Sequence, residues 1–214
     1  GICQISARTP TAMAMAALTM DHLSNGRMIL GLGVSGPQVV EGWYGAPFSK
    51  PLARTREYID IIRQVLAREN PVSNDGEHYP LPFTGEGSWG LGKPLKPIVH
   101  PLRADLPIMM GAEGPKNVAL AAEIADGWLP LYYSPFRQDV YSASLSNAKA
   151  DFEVTQGLVV NITNDEEKGL IPIKHMLALY IGGMGAKDRN FHKELIGRMG
   201  FEAEAEKIQD LYLA

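Results

Sequence analysis

An α/β fold with a parallel sheet is predicted by three features of the sequence. Apolar runs alternate with stretches of helical periodicity, those runs are nearly continuous rather than alternating, and Gly or Pro punctuates most of the joints. The 214 residues, 45% of them hydrophobic, suffice for one domain with a large core, taken as residues 1–214.

The first unit carries most of the signal. Ile2, Cys3 and Ile5 read as a buried strand already under way, without a Met before them. Thr9 suits a helix N-cap, Pro10 fits the first helical position and Gly26 suits a left-handed exit, so a helix is expected from about Pro10 to Ser24. Its expected buried stripe is Met13, Ala16, Ala17, Met20 and Leu23. Met28 to Val34 then reads as a strand covered on both faces, completing a strand–helix–strand crossover.

The alternation continues. A helix is expected over Leu52–Arg68, with Tyr58, Ile59, Ile62, Val65 and Leu66 on its apolar side. Residues 69–105 are rich in Pro and Gly and long for a structureless connection, which suggests that they cover a site. A strand at Leu106–Gly111 leads through Gly111-Ala-Glu-Gly-Pro-Lys-Asn117 into a helix over Pro115–Ala125. Strands at Gly127–Tyr132 and Phe152–Ile162 follow, then three helices between Glu166 and Ala214, the last broken from its neighbour near Gly200.

Composition excludes some classes. A single Cys allows no internal disulfide, and no apolar run reaches the roughly 18 residues of a membrane span. The net charge of −4, without a basic stripe, gives no footprint for nucleic acid. A soluble cytoplasmic protein without membrane or nucleic-acid partners is the expectation. His22, His78, His100, His175 and His192 show no paired metal spacing, and no metal is expected. Cys3 has no His or Asp close in sequence, so it reads as a small buried residue rather than a nucleophile.

Gly-Ile-Cys-Gln-Ile-Ser-Ala-Arg-Thr-Pro at the start, Gly31-Leu-Gly-Val-Ser-Gly-Pro-Gln-Val-Val-Glu-Gly-Trp-Tyr-Gly45, and the later GAEGPKN and AEIADGW resemble the bacterial luciferase-like superfamily. The likeness is to its deazaflavin-dependent oxidoreductases, those related to methylenetetrahydromethanopterin reductase, and it runs through most of the chain. It implies a (β/α)8 barrel of the luciferase type, for which a complete domain takes about 250 residues. On that comparison the first two strands and the last are missing here, and the chain reads as an internal fragment. The family also implies a homodimer.

Such barrels place their chemistry on loops after the carboxyl ends of the strands. The resemblance puts a non-prolyl cis peptide and a cofactor-supporting bulge at Gly1, Ile2 and Cys3, where sequence alone would give an ordinary strand start. It places Val34, Ser35 and Gly36 beside the ring system. Sugar-phosphate members carry a glutamate where this chain has Gly36, which argues against that activity and leaves Glu41 as a weak candidate acid or base. Gly111, Ala112, Glu113, Gly114 and Pro115 precede a helix N-terminus, suited to a cofactor phosphate or simply a Gly cap followed by Pro. Lys116 could add positive charge there, and Glu113 would oppose an anion if it faced inward. The resemblance adds Leu131, Tyr132 and Tyr133 as cofactor contacts. Trp43 and Tyr44 are candidates to wall ring or substrate, with aromatic core packing as the alternative.

The functional expectation is an oxidoreductase moving a hydride between coenzyme F420, an 8-hydroxy-5-deazaflavin, and a small organic substrate. The alternatives are an FMN-dependent luciferase-type monooxygenase and a non-catalytic barrel relative serving as a structural or partner subunit.

Overall fold

The computed structural model describes residues 2–214. Five parallel strands lie in sequence order: β1 (Cys3–Gln4), β2 (Leu30–Gly33), β3 (Ile108–Gly111), β4 (Gly127–Trp128) and β5 (Glu153–Val154). Strands that neighbour in sequence and run parallel must be joined by crossovers. Here α1 (Pro10–Leu23) joins β1 to β2, α2 (Pro37–Gly42) and α3 (Pro51–Ala67) lie between β2 and β3, α4 (Pro115–Ile124) joins β3 to β4, and α5 (Asp139–Leu145) precedes β5. This is the strand order of an incomplete (β/α) barrel.

The register sorts side chains between two faces. Leu30 pairs with Ile108, Leu32 with Met110, and Met110 with Trp128. Leu30, Leu32, Ile108 and Met110 are buried against Leu18 of α1 and Ile62 of α3, so this face meets the helices. Alternation turns Gln4, Gly33, Met109 and Gly111 to the opposite face. Gly127 has no room for a side chain, because an added Cβ would lie 2.7 Å from the Glu153 carbonyl oxygen.

The helices begin where the sequence signals lie. Thr9 accepts from the Ala12 amide, Pro10 opens α1, and both Asn25 (φ 54°) and Gly26 (φ 77°) make the left-handed exit. The expected stripe of α1 is displaced, however. Met13, Ala14, Ala17, Leu18 and Asp21 are buried, whereas Met20 and Leu23 are exposed. The reason is a charge at the end of the stripe: Asp21 accepts two bonds from Arg103, at 2.6 and 3.1 Å, and one from the Met28 amide, so its carboxylate can go inside. On α3 the apolar side matches expectation, with Thr55 and Ile61 buried in addition.

The strands β2 to β5 are all shorter than the sequence suggests, β4 and β5 most of all. β4 stops at Trp128: Leu129 still donates to the Met110 carbonyl, but Pro130 has no N–H to continue the ladder. β5 spans two residues rather than Phe152–Ile162, and Leu158, Val159, Val160 and Ile162 are exposed. Apolar residues there meet no further strand among the described residues.

Both ends of the 69–105 segment are tied to the helices. Ser73, Asn74, His78 and Tyr79 bond to Gln64 or Glu57 of α3, the Pro97 carbonyl accepts from Arg68, and the His100 carbonyl meets His22 of α1. Residues 73–79, 97 and 100 are therefore fixed against the helical layer. Gly1 lies outside the described residues, and with it the Gly1–Ile2 bond. Among the described residues the cis peptide is Leu81–Pro82, so the expected non-prolyl cis bond is absent at Ile2–Cys3.

The C-terminal part is helical: α6 (Glu166–Leu177), a π-helical stretch (Ala178–Gly183), α7 (Phe191–Ile196), a second such stretch (Gly197–Phe201) and α8 (Glu202–Leu213). Gly200 (φ 97°) makes the expected break. Leu195 and Met199 pack with Ala112, Trp128, Tyr132 and Tyr141 in a second apolar cluster, which brings α7 onto the carboxyl ends of β3 and β4. Among the described residues no helix is long and apolar enough to cross a membrane.

The Arg103 bonds hold the Asp21 carboxyl below the usual carboxylate range. A lowered folded-state value stabilises the protein above the ordinary carboxylate pKa of about 4, and that contribution is lost as pH falls through the lowered value. Asp21→Ala in the full-length protein should cost about 2–3 kcal/mol at pH 7, less than for a fully enclosed pair because Arg103 is partly exposed. Chemical denaturation should show the gap between parent and variant closing at strongly acid pH.

Candidate functional site

At the carboxyl ends of β1, β2 and β3 the inward positions form a floor almost without side chains. Gly33 pairs directly with Gly111, and Gln4 pairs with Gly33 on its other side. The side chain nearest both glycines is that of Ile2: a Cβ at Gly33 would meet Ile2 Cδ1 at 2.2 Å, and one at Gly111 would meet Ile2 Cγ2 at 3.0 Å. Backbone leaves the space free, since the nearest backbone atom to either added Cβ is a carbonyl oxygen at 3.5 Å or more. A flat group can therefore approach both strands closely once the end of a flexible side chain moves aside.

Gln4 ties the rim together. Its amide nitrogen donates to Ser35 Oγ at 3.3 Å, and its amide oxygen accepts from the Tyr44 hydroxyl. Ser35 holds a left-handed backbone (φ 61°), which costs a non-glycine residue of order 1–3 kcal/mol and persists only where its surroundings enforce it. Of the residues expected beside a ring, Ser35 and Tyr44 thus reach the floor. Val34 packs on the core instead, and Gly36 serves as the N-cap position of α2. Trp43 is exposed, and Glu41 accepts from the Phe48 amide, a bond that fixes its own loop. Cys3 pairs with Leu32, so it faces the helices rather than the floor, and it is exposed in a groove beside Met13 and Met20. The expectation of a small buried residue at the cofactor fails because β1 is an edge in this chain.

A second cluster lies over β3 and β4. Ala112 accepts from the buried indole N–H of Trp128 at 2.8 Å, which pins the loop after β3. Gly114 is the N-cap position of α4, without a side-chain cap, and Pro115 is its first residue. Glu113 turns toward α7, where His192 Nδ1 lies 2.7 Å from Oε2. That approach is too bent for a good hydrogen bond, and both atoms keep unused bonding capacity. Lys116 lies away from them, in a surface groove with Arg56 and Glu123.

The loop after β4 divides its residues. The Tyr132 carbonyl accepts from the Tyr141 hydroxyl at 2.9 Å, while its own ring meets His192 and Tyr180 edge-on. Burial, and then the nearby Glu113 carboxylate, push the Tyr132 phenol up. Burial likewise pushes Tyr141 up, to about 12. Tyr133 stacks on Tyr141 and Leu131 packs in the same cluster, so these two residues support the loop. Gln4 and His192 are absent from the sequence-based candidates. A lone Gln in a strand carries no signal, and His192 is distant in sequence from the Glu113 it meets.

The family model for luciferase-like monooxygenases matches residues 1–214. A Mycobacterium tuberculosis protein named provisionally as a coenzyme F420-dependent oxidoreductase is 60% identical over 99% of this chain and 63% of its own length. This chain therefore spans less than two thirds of that relative. The coenzyme F420-dependent tetrahydromethanopterin reductase of Methanopyrus kandleri superposes with a TM-score of 0.70 at 22% identity, over 98% of this chain and 67% of that one. An F420-dependent secondary alcohol dehydrogenase, solved with an F420–acetone adduct, gives 0.72 at 15% identity over 96% and 62%. At these identities the two structures bear on the fold, which they share with this chain.

Trp128→Phe should keep the ring packing but leave the Ala112 carbonyl buried without its donor, a loss of about 1–3 kcal/mol. Thermal unfolding of the full-length protein should show it, and an unchanged Tm would mean that the indole bond does not anchor the loop.

Proposed function

We propose, from the premise that this chain belongs to the luciferase-like monooxygenase family, that the full-length protein is an oxidoreductase working with coenzyme F420 on a small organic substrate. The single observation that carries the reading is the paired Gly33 and Gly111 floor, whose open backbone suits the face of a planar ring. Support comes from the 60% identity to an F420-named relative. When bound, the deazaflavin supplies the hydride chemistry.

What this chain's residues do is hold and orient. Gly33 and Gly111 let the ring approach within contact of the backbone, and Ile2 must turn aside to admit it. Ser35, fixed by Gln4, and Tyr44, bonded to the same amide, set the rim on the β2 side. On this reading the α4 N-terminus and Tyr132 receive the tail, and the Trp128–Ala112 bond and the turn at Gly114 support that loop. Hydride transfer depends mainly on holding donor and acceptor carbons in line, so a rigid floor can contribute more than an acidic side chain. Glu41 is not drawn on as a proton donor, because its carboxylate is bonded within its own loop. The same reading makes the protein a cytoplasmic homodimer, which sedimentation of the full-length protein tests.

An FMN-dependent monooxygenase is the second reading, since a flavin ring would suit the same floor. The absorption and fluorescence of cofactor bound by the full-length protein separate the two. F420 binding without oxygen consumption is the expected result, and reduced-FMN preference with oxygen uptake contradicts it.

Gly33→Val should weaken F420 binding by more than tenfold while leaving the fold intact, because the new side chain displaces only the end of Ile2 and fills the ring's place. Fluorescence titration beside a thermal melt checks both halves. Normal binding by the variant would show that the floor is misassigned.

A further inference from the structure

Four polar side-chain atoms around the loops after β3 and β4 are buried without a hydrogen-bond partner: Glu113 Oε2, Asn117 Oδ1, Tyr132 OH and His192 Nδ1. Glu113 Oε2 and His192 Nδ1 lie 2.7 Å apart and partly answer each other, but Asn117 Oδ1 and Tyr132 OH have no partner, and buried polar atoms left so mark a place where something else binds. Tyr132 is 9% exposed, its hydroxyl is free to donate, and it lies within electrostatic reach of Glu113. The first turn of α4 adds backbone donors and the positive end of its dipole.

These features suit an anionic group, with one obstacle. Glu113 stands immediately before the N-cap of α4, and a carboxylate there competes with any anion for the same helix end. His192 answers it. The imidazole reaches from α7 across to Glu113, and Tyr132 and Tyr180 meet its ring edge-on, so it is held in place from three sides. Arg198 donates to the Glu113 carbonyl at 3.3 Å and adds positive charge to the same loop.

We propose that His192 is a positioning residue: it holds the Glu113 carboxylate toward α7 and so leaves the α4 N-terminus beside Tyr132 to the anionic tail of the deazaflavin. The inference rests on the F420 reading above and deepens it. A tail bearing hydroxyls beside its phosphate also supplies donors for Glu113 Oε2 and Asn117 Oδ1, the two acceptors of the cluster. The latch brings a consequence for the fold as well. Ligand binding should tighten α7 against the loop after β3, because one group then completes atoms carried by both.

The test is a double-mutant cycle with neutral replacements on the full-length protein, read by fluorescence titration with F420 and with a deazaflavin lacking the phosphate tail. His192→Gln should weaken F420 binding by about tenfold or more, since it frees Glu113 to compete with the anion at the helix N-terminus. Glu113→Gln should bind at least as tightly as the parent, and the double variant Glu113→Gln/His192→Gln should recover most of the loss. None of the three should alter affinity for the tail-less deazaflavin. A merely structural pair would give a double variant no better than His192→Gln, or equal losses for both ligands, and either result overturns the inference. Thermal melts of each variant identify losses that come from unfolding, in which case His192→Asn replaces His192→Gln in the cycle. If the parent binds neither deazaflavin, the F420 reading fails and this inference with it. If the parent binds F420 and the cycle shows no rescue, this inference alone fails.

Discussion

The pairing of β2 with β3 is the constraint on which the site depends. Because Leu32 is opposite Met110, Gly33 must be opposite Gly111, and alternation sends the two apolar residues to the helices and the two glycines to the inner face. A slip of β3 by one residue would turn Gly111 toward the helices and Met110 onto the inner face, and the paired glycines would be lost. The core thus fixes the floor: the same burial that holds the sheet together keeps two side-chain-free positions side by side at the carboxyl ends of adjacent strands.

Around that floor the loops are held by unlike means. The loop after β2 is kept by a polar tie, with the Gln4 amide spanning Ser35 and Tyr44. After β3, a buried indole bond fixes Ala112, and the turn at Gly114 and Pro115 starts α4 at once. The loop after β4 rests on aromatic packing, with Trp128, Tyr133 and Tyr141 in mutual contact. Rigid strands with separately anchored loops allow one loop to change its chemistry without disturbing the others. Glu113 and His192 join the loop after β3 to α7.

Local signals in the sequence proved most legible where one residue type decides the structure. Thr9-Pro10, Gly26, Gly114-Pro115 and Gly200 mark helix ends in the structure as they do in the sequence, because caps and left-handed turns depend on few neighbours. The stripe of α1 was less legible, since Asp21 is buried only by virtue of Arg103, far along the chain. Strand lengths failed for a related reason: Leu158 to Ile162 have strand-like composition, but a strand needs a partner, and none of the described residues supplies one. At the site, glycine positions and the loop after β3 could be read directly, while Gln4 and His192 could not. Their roles come from pairings made only when the chain folds.

The central claim is that a deazaflavin ring lies against Gly33 and Gly111, and a crystal structure of the full-length protein with F420 tests it most directly. The account predicts the ring in van der Waals contact with both glycines, the Ile2 side chain turned away, and the tail directed to the α4 N-terminus between Tyr132 and His192. A ring bound elsewhere on the barrel, with Ile2 still covering the two glycines, would contradict it.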